Sequence, residues 1–286
     1  MEWARRQGCH WDEWVCSLAA EHGHFVLLRW LRGRGCPWDA RTCASAAKAG
    51  HLEMLQWARS AGCQWDADTT IYAAGGGHLE VLKWARGQGC PWNIKTSNAA
   101  AIGGRLDVLR WADANKCPMH TGKCLEEGAR FGHLEVVKWA HARGGCMSVQ
   151  VARFAAMGGH VDVLAWLRSK DGKEQCPWGC DTCTDAAGQG QLAAVQWARA
   201  NGCPWQKSAC SMAARGGHLS VLKWLREEGC PWDEKTCSYA ARSGHLEVLQ
   251  WARENGCPWD RCTVRNALRG GHTVIVEWAK AHGCLA

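Results

Sequence analysis

Cys230-Pro231-Trp232-Asp233-Glu234-Lys235-Thr236-Cys237-Ser238-Tyr239-Ala240-Ala241-Arg242-Ser243-Gly244-His245-Leu246-Glu247-Val248-Leu249-Gln250-Trp251-Ala252-Arg253-Glu254-Asn255-Gly256 is one cassette, and Cys257-Pro258-Trp259-Asp260 begins it again. Its first cysteine recurs every 27 residues at Cys9, Cys36, Cys63, Cys90 and Cys117, and resumes at Cys176, Cys203, Cys230, Cys257 and Cys284. A fixed period of this length belongs to a stacked array in which each unit buries its apolar face only against its neighbours. The expected fold is an all-α solenoid of about ten stacked antiparallel helix pairs, running as one array over 1–286. Such an array places function on a surface rather than in a pocket.

The unit from Cys36 to Gly62 shows why helices form. Asp39 is a good N-cap, its side-chain oxygen able to accept an orphan backbone N–H of the first turn. The first helix follows through Arg41–Lys48, with Cys43, Ala46 and Ala47 at i, i+3 and i+4 as a narrow stripe of small apolar side chains. Gly50 ends it in a left-handed conformation that glycine adopts without strain. The second helix, Leu52–Arg59, has Glu53 in its first turn and Arg59 in its last, both matching the macrodipole. Leu52, Leu55 and Ala58 form its stripe, widened by Met54 and Trp57, so it needs cover on both flanks. Gly62 closes it, and Pro37, like all seven prolines of the chain, occupies the turn where no helix can continue.

Composition follows from the repeat. The chain of 286 residues is 47% apolar and 21% charged, an ordinary folded balance, with a net charge of +7 that permits an acidic partner without demanding one. It holds 20 Trp against 3 Phe and 2 Tyr; eleven of the Trp occupy one repeat position and eight another. No 18-residue apolar run occurs and the N-terminus lacks the apolar core of a signal peptide, so neither a membrane partner nor secretion is expected. The odd number of cysteines, 19, fits a reducing compartment, cytosol or nucleus. Trp3-Ala4-Arg5 matches Trp251-Ala252-Arg253, so the chain opens partway through a unit. It closes at Gly283-Cys284-Leu285-Ala286 without a polar cap, as expected of a piece of a longer array or of a chain that tolerates imperfect ends.

Ala240-Ala241-Arg242-Ser243-Gly244-His245-Leu246-Glu247-Val248-Leu249 resembles the core of the ankyrin repeat, an Ala-Ala-x-x-Gly-His-x-x-Val-Leu pattern that recurs over nearly the whole chain. Similar Trp- and Cys-rich arrays are familiar among ankyrin-like proteins of large DNA viruses and microbial eukaryotes, which would make a viral member's compartment that of its host cell. The resemblance implies stacked helix pairs and a protein-binding role. An ankyrin unit has 33 residues with a β-hairpin finger; this one has 27, and the six missing fall where the finger should be. The Thr-Pro-Leu-His signature is replaced by Thr-Cys, as at Thr42-Cys43, Thr182-Cys183 and Thr236-Cys237. Finger-mediated binding is therefore not expected.

Most residues that suggest chemistry belong to the repeat. Cys43 and His51 lie about 12 Å apart along a helix, too far to share a zinc ion, whose donors lie within about 4 Å of one another. The second cysteine slot holds Thr70, Ser97, Ala152 or Val264 elsewhere, as a packing position would. Equivalent cysteines of neighbouring units stand about 8–10 Å apart, beyond disulfide reach. No metal and no cofactor is expected, although Cys176, Cys180 and Cys183 cluster beside the insertion Ser169-Lys170-Asp171-Gly172-Lys173-Glu174-Gln175. The histidines (His51, His78, His218 and their equivalents) follow the helix-ending glycine, where an imidazole satisfies nearby backbone groups, and Arg105 and Gln191 replace them in two units. The helix tryptophans (Trp30, Trp57, Trp84, Trp111) read as an inter-repeat ladder, and those of the turn (Trp38, Trp65, Trp92, Trp205) as packing that is partly exposed. No nucleophile motif or phosphate-cradling loop stands out, so neither catalysis nor a small-molecule substrate is expected.

Two slots of the first helix do vary. One holds Leu18, Ser45, Tyr72, Ala99, Phe154, Asp185, Met212, Tyr239 and Asn266; the other, three residues on, holds Glu21, Lys48, Gly75, Ile102, Met157, Gly188, Arg215, Arg242 and Arg269. In the ankyrin-like arrangement they line the concave groove, and large apolar residues suit a binding face better than plain solvent. The expected function is a non-catalytic scaffold binding another protein through these residues. The alternative is sequence-tolerant nucleic-acid binding along Arg215, Arg242 and Arg269. The period breaks around 117–183: Cys117 to Cys146 is 29 residues and Cys146 to Cys176 is 30. Insertions there fit either a binding-face loop or a less stable unit.

Overall fold

The computed structural model describes residues 11–169 and 175–284, all in helices and short turns, with no strand among the described residues. Residues 1–10 and 285–286, with the chain ends weighed above, and most of the insertion, 170–174, lie outside them. The chain divides into two compact units, Met1–Gly128 with Glu135–Gly145, and Ala129–Leu134 with Cys146–Ala286. The division falls in the stretch where the 27-residue period is irregular.

In the first unit, the first and second helices of each pair alternate: α1 Glu13–Glu21, α2 Phe25–Gly33, α3 Ala40–Lys48, α4 Leu52–Ser60, α5 Ala67–Gly76, α6 Leu79–Gly87, α7 Ile94–Ile102 and α8 Leu106–Ala114. Two further helices, α9 Thr121–Arg130 and α10 Leu134–Ala142, contain the division between the units. The second unit continues with α11 Val149–Gly158, α12 Val161–Arg168, α13 Cys180–Gly188, α14 Leu192–Ala200, α15 Lys207–Gly216, α16 Leu219–Glu227, α17 Glu234–Ser243, α18 Leu246–Glu254, α19 Arg261–Gly270 and α20 Thr273–Ala281. Each unit is thus an all-α stack of repeated helix pairs.

The caps are those the residues dictate. Asp39 accepts the N–H of Arg41 at 3.0 Å, and Asp12, Asp66, Asn93, Asp233 and Asp260 cap their helices in the same way. Between the helices of a pair, Gly50 has φ +78° and the Leu52 N–H donates to the Gly50 carbonyl at 3.0 Å, a tight turn centred on His51.

Packing is uneven across a pair. First helices stack directly on one another, α1 on α3, α3 on α5 and α5 on α7 in the first unit, and α11 through α19 likewise in the second. Their facing side chains are Cys43, Ala46 and Ala47, all 0% exposed, or their equivalents, of which Leu268 on α19 is the open exception at 58%. A Cβ added at Gly216 would come within 2.6 Å of the Gly188 carbonyl, so first-helix backbones approach to contact distance. The second helices bury Leu55, Leu222, Leu249 and their equivalents against their own first helices.

Three polar contacts then recur between successive pairs. The turn cysteine donates its thiol to the carbonyl of the earlier N-cap residue, Cys63 to Asp39 at 3.2 Å and Cys257 to Asp233 at 3.4 Å. The histidine ring reaches back to the end of the earlier first helix, His78 Nε2 to the Lys48 carbonyl at 3.0 Å and His245 Nε2 to that of Arg215 at 3.1 Å. The ring also lies over the earlier glycine, where a Cβ on Gly50 would meet His78 Nδ1 at 2.5 Å. The expectation that the imidazole satisfies backbone groups holds, with partners in the neighbouring repeat. Arg105, at the same slot, reaches the Gly75 carbonyl at 3.4 Å. Third, the last-turn arginine donates to the carbonyl of the turn cysteine, Arg59 to Cys63 and Arg226 to Cys230, and lies over the following turn tryptophan, 4.1 Å from Trp65 and 4.2 Å from Trp232.

The tryptophans differ from the expected ladder. Where a pair holds both, the helix tryptophan meets the turn tryptophan edge to face, Trp38 with Trp57 at 5.6 Å and Trp232 with Trp251 at 6.0 Å; the pairs of Trp139 and Trp166 have no turn tryptophan. Both series are half-buried, so they flank the core rather than fill it. Such pairs contribute about 0.5–1.5 kcal/mol beyond area burial, and a covering guanidinium about 0.5–1.

Equivalent cysteines of neighbouring units are not the only ones that can meet. The structure brings unlike ones together, Cys43 beside Cys63 and Cys183 beside Cys203, each 20 residues on. Cys183, Cys203 and Ala198 form a closed cluster roofed by Trp178 and Trp205. None of the 18 described cysteines is in a disulfide; Cys146 is exposed, Cys180 and Cys262 are half-buried, and the rest are buried. Iodoacetamide applied to the reduced, folded protein should therefore modify these three among the described cysteines, and the buried ones only after denaturation. Peptide mass spectrometry before and after urea checks this, and rapid labelling of Cys63 or Cys237 in the folded state would contradict it.

Candidate functional site

The first-helix stripe of small residues faces inward, which turns the two variable slots outward. In the first unit three successive first helices, α1, α3 and α5, build a groove of about 310 Å³ from Trp14, Ser17, Glu21, Arg41, Ala44, Ser45, Lys48, Asp66, Asp68 and Tyr72. Three of the residues singled out by sequence, Ser45, Lys48 and Tyr72, meet there. Ser45 Oγ lies 2.8 Å from Ser17 Oγ, and Lys48 Nζ donates to Glu21 Oε1 at 2.7 Å. That hydrogen bond holds the Glu21 carboxyl below its usual range and Lys48 above its own.

Within the groove Tyr72 is 45% exposed and Trp14 55%, and Leu18, on the same helix as Trp14, is 49% exposed. Arg41 lies 4.4 Å over the Trp14 ring and forks onto Asp39 through Nε at 2.8 Å and Nη2 at 2.7 Å. Sequence reasoning missed Trp14, Arg41, Asp66 and Asp68. The signal for Trp14 was arithmetic: the two repeat positions absorb nineteen of the 20 tryptophans, and Trp14 is the one they leave over.

In the second unit the corresponding face carries the remaining residues. Phe154 is half-buried under the Arg130 guanidinium, 4.2 Å from its ring centre. Asp185 is paired with Arg153 of α11, whose Nη2 lies 2.7 Å and Nε 2.8 Å from Oδ2. Met212 packs beside Gly188, and Asn266 is half-buried. Arg215, Tyr239 and Arg242 come together around a smaller cavity of about 140 Å³ between α15 and α17. Arg269, on α19, is exposed and does not line it. A further cavity of about 310 Å³ lies on the second-helix side, lined by Gln250, Arg253, Glu254, Trp259, Trp278 and His282, the last stacked on Trp278 at 4.4 Å.

Among the described residues no three His, Cys, Asp or Glu side chains are grouped to hold a metal ion. At the Cys176, Cys180 and Cys183 cluster, the first and last are buried in packing positions, and Cys176 donates to the Ser148 carbonyl at 3.2 Å. No helix among the described residues is long and apolar enough to cross a membrane. No protein-family model matches the chain, and no curated protein matches it.

Proposed function

We propose that this chain is a non-catalytic, intracellular recognition scaffold of ankyrin-like type, binding another protein through the outward face of its first helices. The observation that carries this reading is the groove in the first unit, where Ser45, Lys48 and Tyr72 from two repeats join the exposed Trp14 of a third. Aromatic anchors beside charged groups are the composition of binding hot spots. The residues that repeat are used up in packing, capping and inter-repeat hydrogen bonds, which leaves this face as the part tuned to something outside the chain. The nucleic-acid reading loses its stacking platform, because the turn tryptophans lie under guanidinium groups and against their partner tryptophans.

The test replaces Trp14, Tyr72 and Tyr239 with Ser. With nuclease-treated cell extract and the full chain as bait, capture of the principal partner should fall at least about tenfold, with helical circular dichroism and melting unchanged. Undiminished capture would overturn the reading, and loss of helicity would assign these side chains to the core instead.

A further inference from the structure

Arg215, Arg242 and Arg269 occupy one slot on three successive first helices, α15, α17 and α19, and all three are exposed. Two carboxylates of the second unit's first helices are already paired, Asp185 with Arg153 and Asp233 with Lys207 at 2.8 Å. These three guanidiniums have no carboxylate partner among the described residues. Arg215 and Arg242 further enclose a cavity with the half-buried Tyr239 between them, so two of the charges border a concave site rather than open solvent.

From this row we infer that the second unit binds an acidic peptide segment in the polyproline II conformation, with a carboxylate at every third residue. The inference rests on the scaffold reading and names its partner's chemistry. The spacing supplies the argument. Packed helices stand about 8–10 Å apart, so successive arginines of the row repeat at about that distance. A polyproline II chain rises about 3.1 Å per residue with three residues per turn, which puts every third side chain on one face at about 9.3 Å intervals. An extended strand returns to the same face every second residue, about 6.6 Å on, and does not match. An α-helix needs two turns, about 10.5 Å, and would place one carboxylate in seven residues. A nucleic-acid strand presents a phosphate about every 3.4 Å of helix axis, far denser than the arginines. Arg is also the residue suited to holding a carboxylate through two parallel hydrogen bonds. Tyr239, between the first two arginines, offers a ring for the peptide's intervening proline or alkyl group.

The probe is a fluorescein-labelled nine-residue peptide with Glu at positions 1, 4 and 7 and Pro or Ala elsewhere, titrated into the full chain and read by anisotropy. It should bind at least about tenfold more tightly than isomers with Glu at 1, 2 and 3 or at 1, 3 and 5. Arg242→Ala should remove that preference, and Arg242→Lys should restore it in part; the side chain is exposed, and an unchanged melt confirms the fold. Equal binding of all isomers would overturn the register argument, and a single-stranded oligonucleotide that competes more tightly than the peptide would overturn it in favour of nucleic acid. If the Trp14, Tyr72 and Tyr239 variant loses its partner while no peptide binds, the scaffold reading stands and the acidic-peptide inference falls. If the peptide binds and partner capture is indifferent to that variant, the scaffold reading falls instead.

Discussion

Between pH 9 and 10.5 the reduced protein should lose most of its stability, its urea midpoint falling far more steeply than between pH 6 and 8. Burial pushes the thiols of Cys16 and Cys90 up to about 12, and those of Cys117, Cys124 and Cys176 up to about 11, from an ordinary 9.0. In the unfolded chain these thiols ionise near 9, whereas in the folded chain they keep their protons. Below pH 9 both states are protonated and the stabilisation is complete. Above it the unfolded state sheds protons that the folded state holds, and stability drains away until the pH passes the folded values. Each such thiol contributes a slope of about 1.4 kcal/mol per pH unit, and the five together about 7, comparable with the whole stability of an ordinary domain. The other cysteines, the lysines and the 2 tyrosines titrate near the same window, and Cys63, Cys203, Cys230 and Cys257, whose thiols are held below the ordinary value by hydrogen bonds from their neighbours, act in the opposite direction, so single variants are needed to assign the effect. Cys90→Ala should reduce the slope by about one thiol's share, which assigns the effect. A midpoint unchanged from pH 8 to 10.5 would contradict the prediction.

Leu222→Ala should cost about 2–5 kcal/mol, the range for truncating a fully enclosed leucine. Leu222 is 0% exposed on α16, between Val221 and the equally buried Leu225, so no solvent-side relaxation fills the space. In a repeat stack the loss stays local, since each pair is held only by its neighbours. Unfolding should therefore split into two steps, the flanking pairs melting separately from the weakened one. Urea titration followed by circular dichroism and tryptophan fluorescence resolves this. A loss below about 1 kcal/mol with a single transition would place Leu222 outside the core.

How far the sequence could be read depends on what each residue depends on. Helix limits, Asp39 as cap, Gly50 as left-handed stop and the Ala46-Ala47 stripe were legible because local chemistry decides them. The outward position of Tyr72, Arg215 and Arg242 followed from the same periodicity. The contact between Cys43 and Cys63 was not legible. It joins unlike positions across a repeat boundary, and comparing equivalent positions could never reveal it. The tryptophan pairing failed for a similar reason. Periodicity places Trp57 on a helix face but says nothing of the turn residue Trp38 folding back onto it. Nor could it show that Asp185, singled out as a binding residue, would be paired with Arg153, which requires knowing which first helices stack.

The backward reach of the turn cysteine and the histidine bears on how such a chain changes length over evolutionary time. Cys63, Cys90 and Cys257 each find their carbonyl 24 residues earlier, and His78, His218 and His245 find theirs 30 earlier. Duplication or loss of whole 27-residue cassettes leaves every such offset intact, so unequal recombination can add or delete units without creating an orphaned donor. Inserted residues are harmless only where they do not separate a donor from the geometry of its acceptor. Cys176 shows the permitted case. Its acceptor, the Ser148 carbonyl, is 28 residues back, and Arg168 still reaches the Cys176 carbonyl across the insertion at 3.0 Å. The seam between second helix and turn is thus where this lineage has taken its longest insertion, while changes inside a cassette are limited to a single residue, as in Cys124 to His133, 9 residues where Cys237 to His245 is 8.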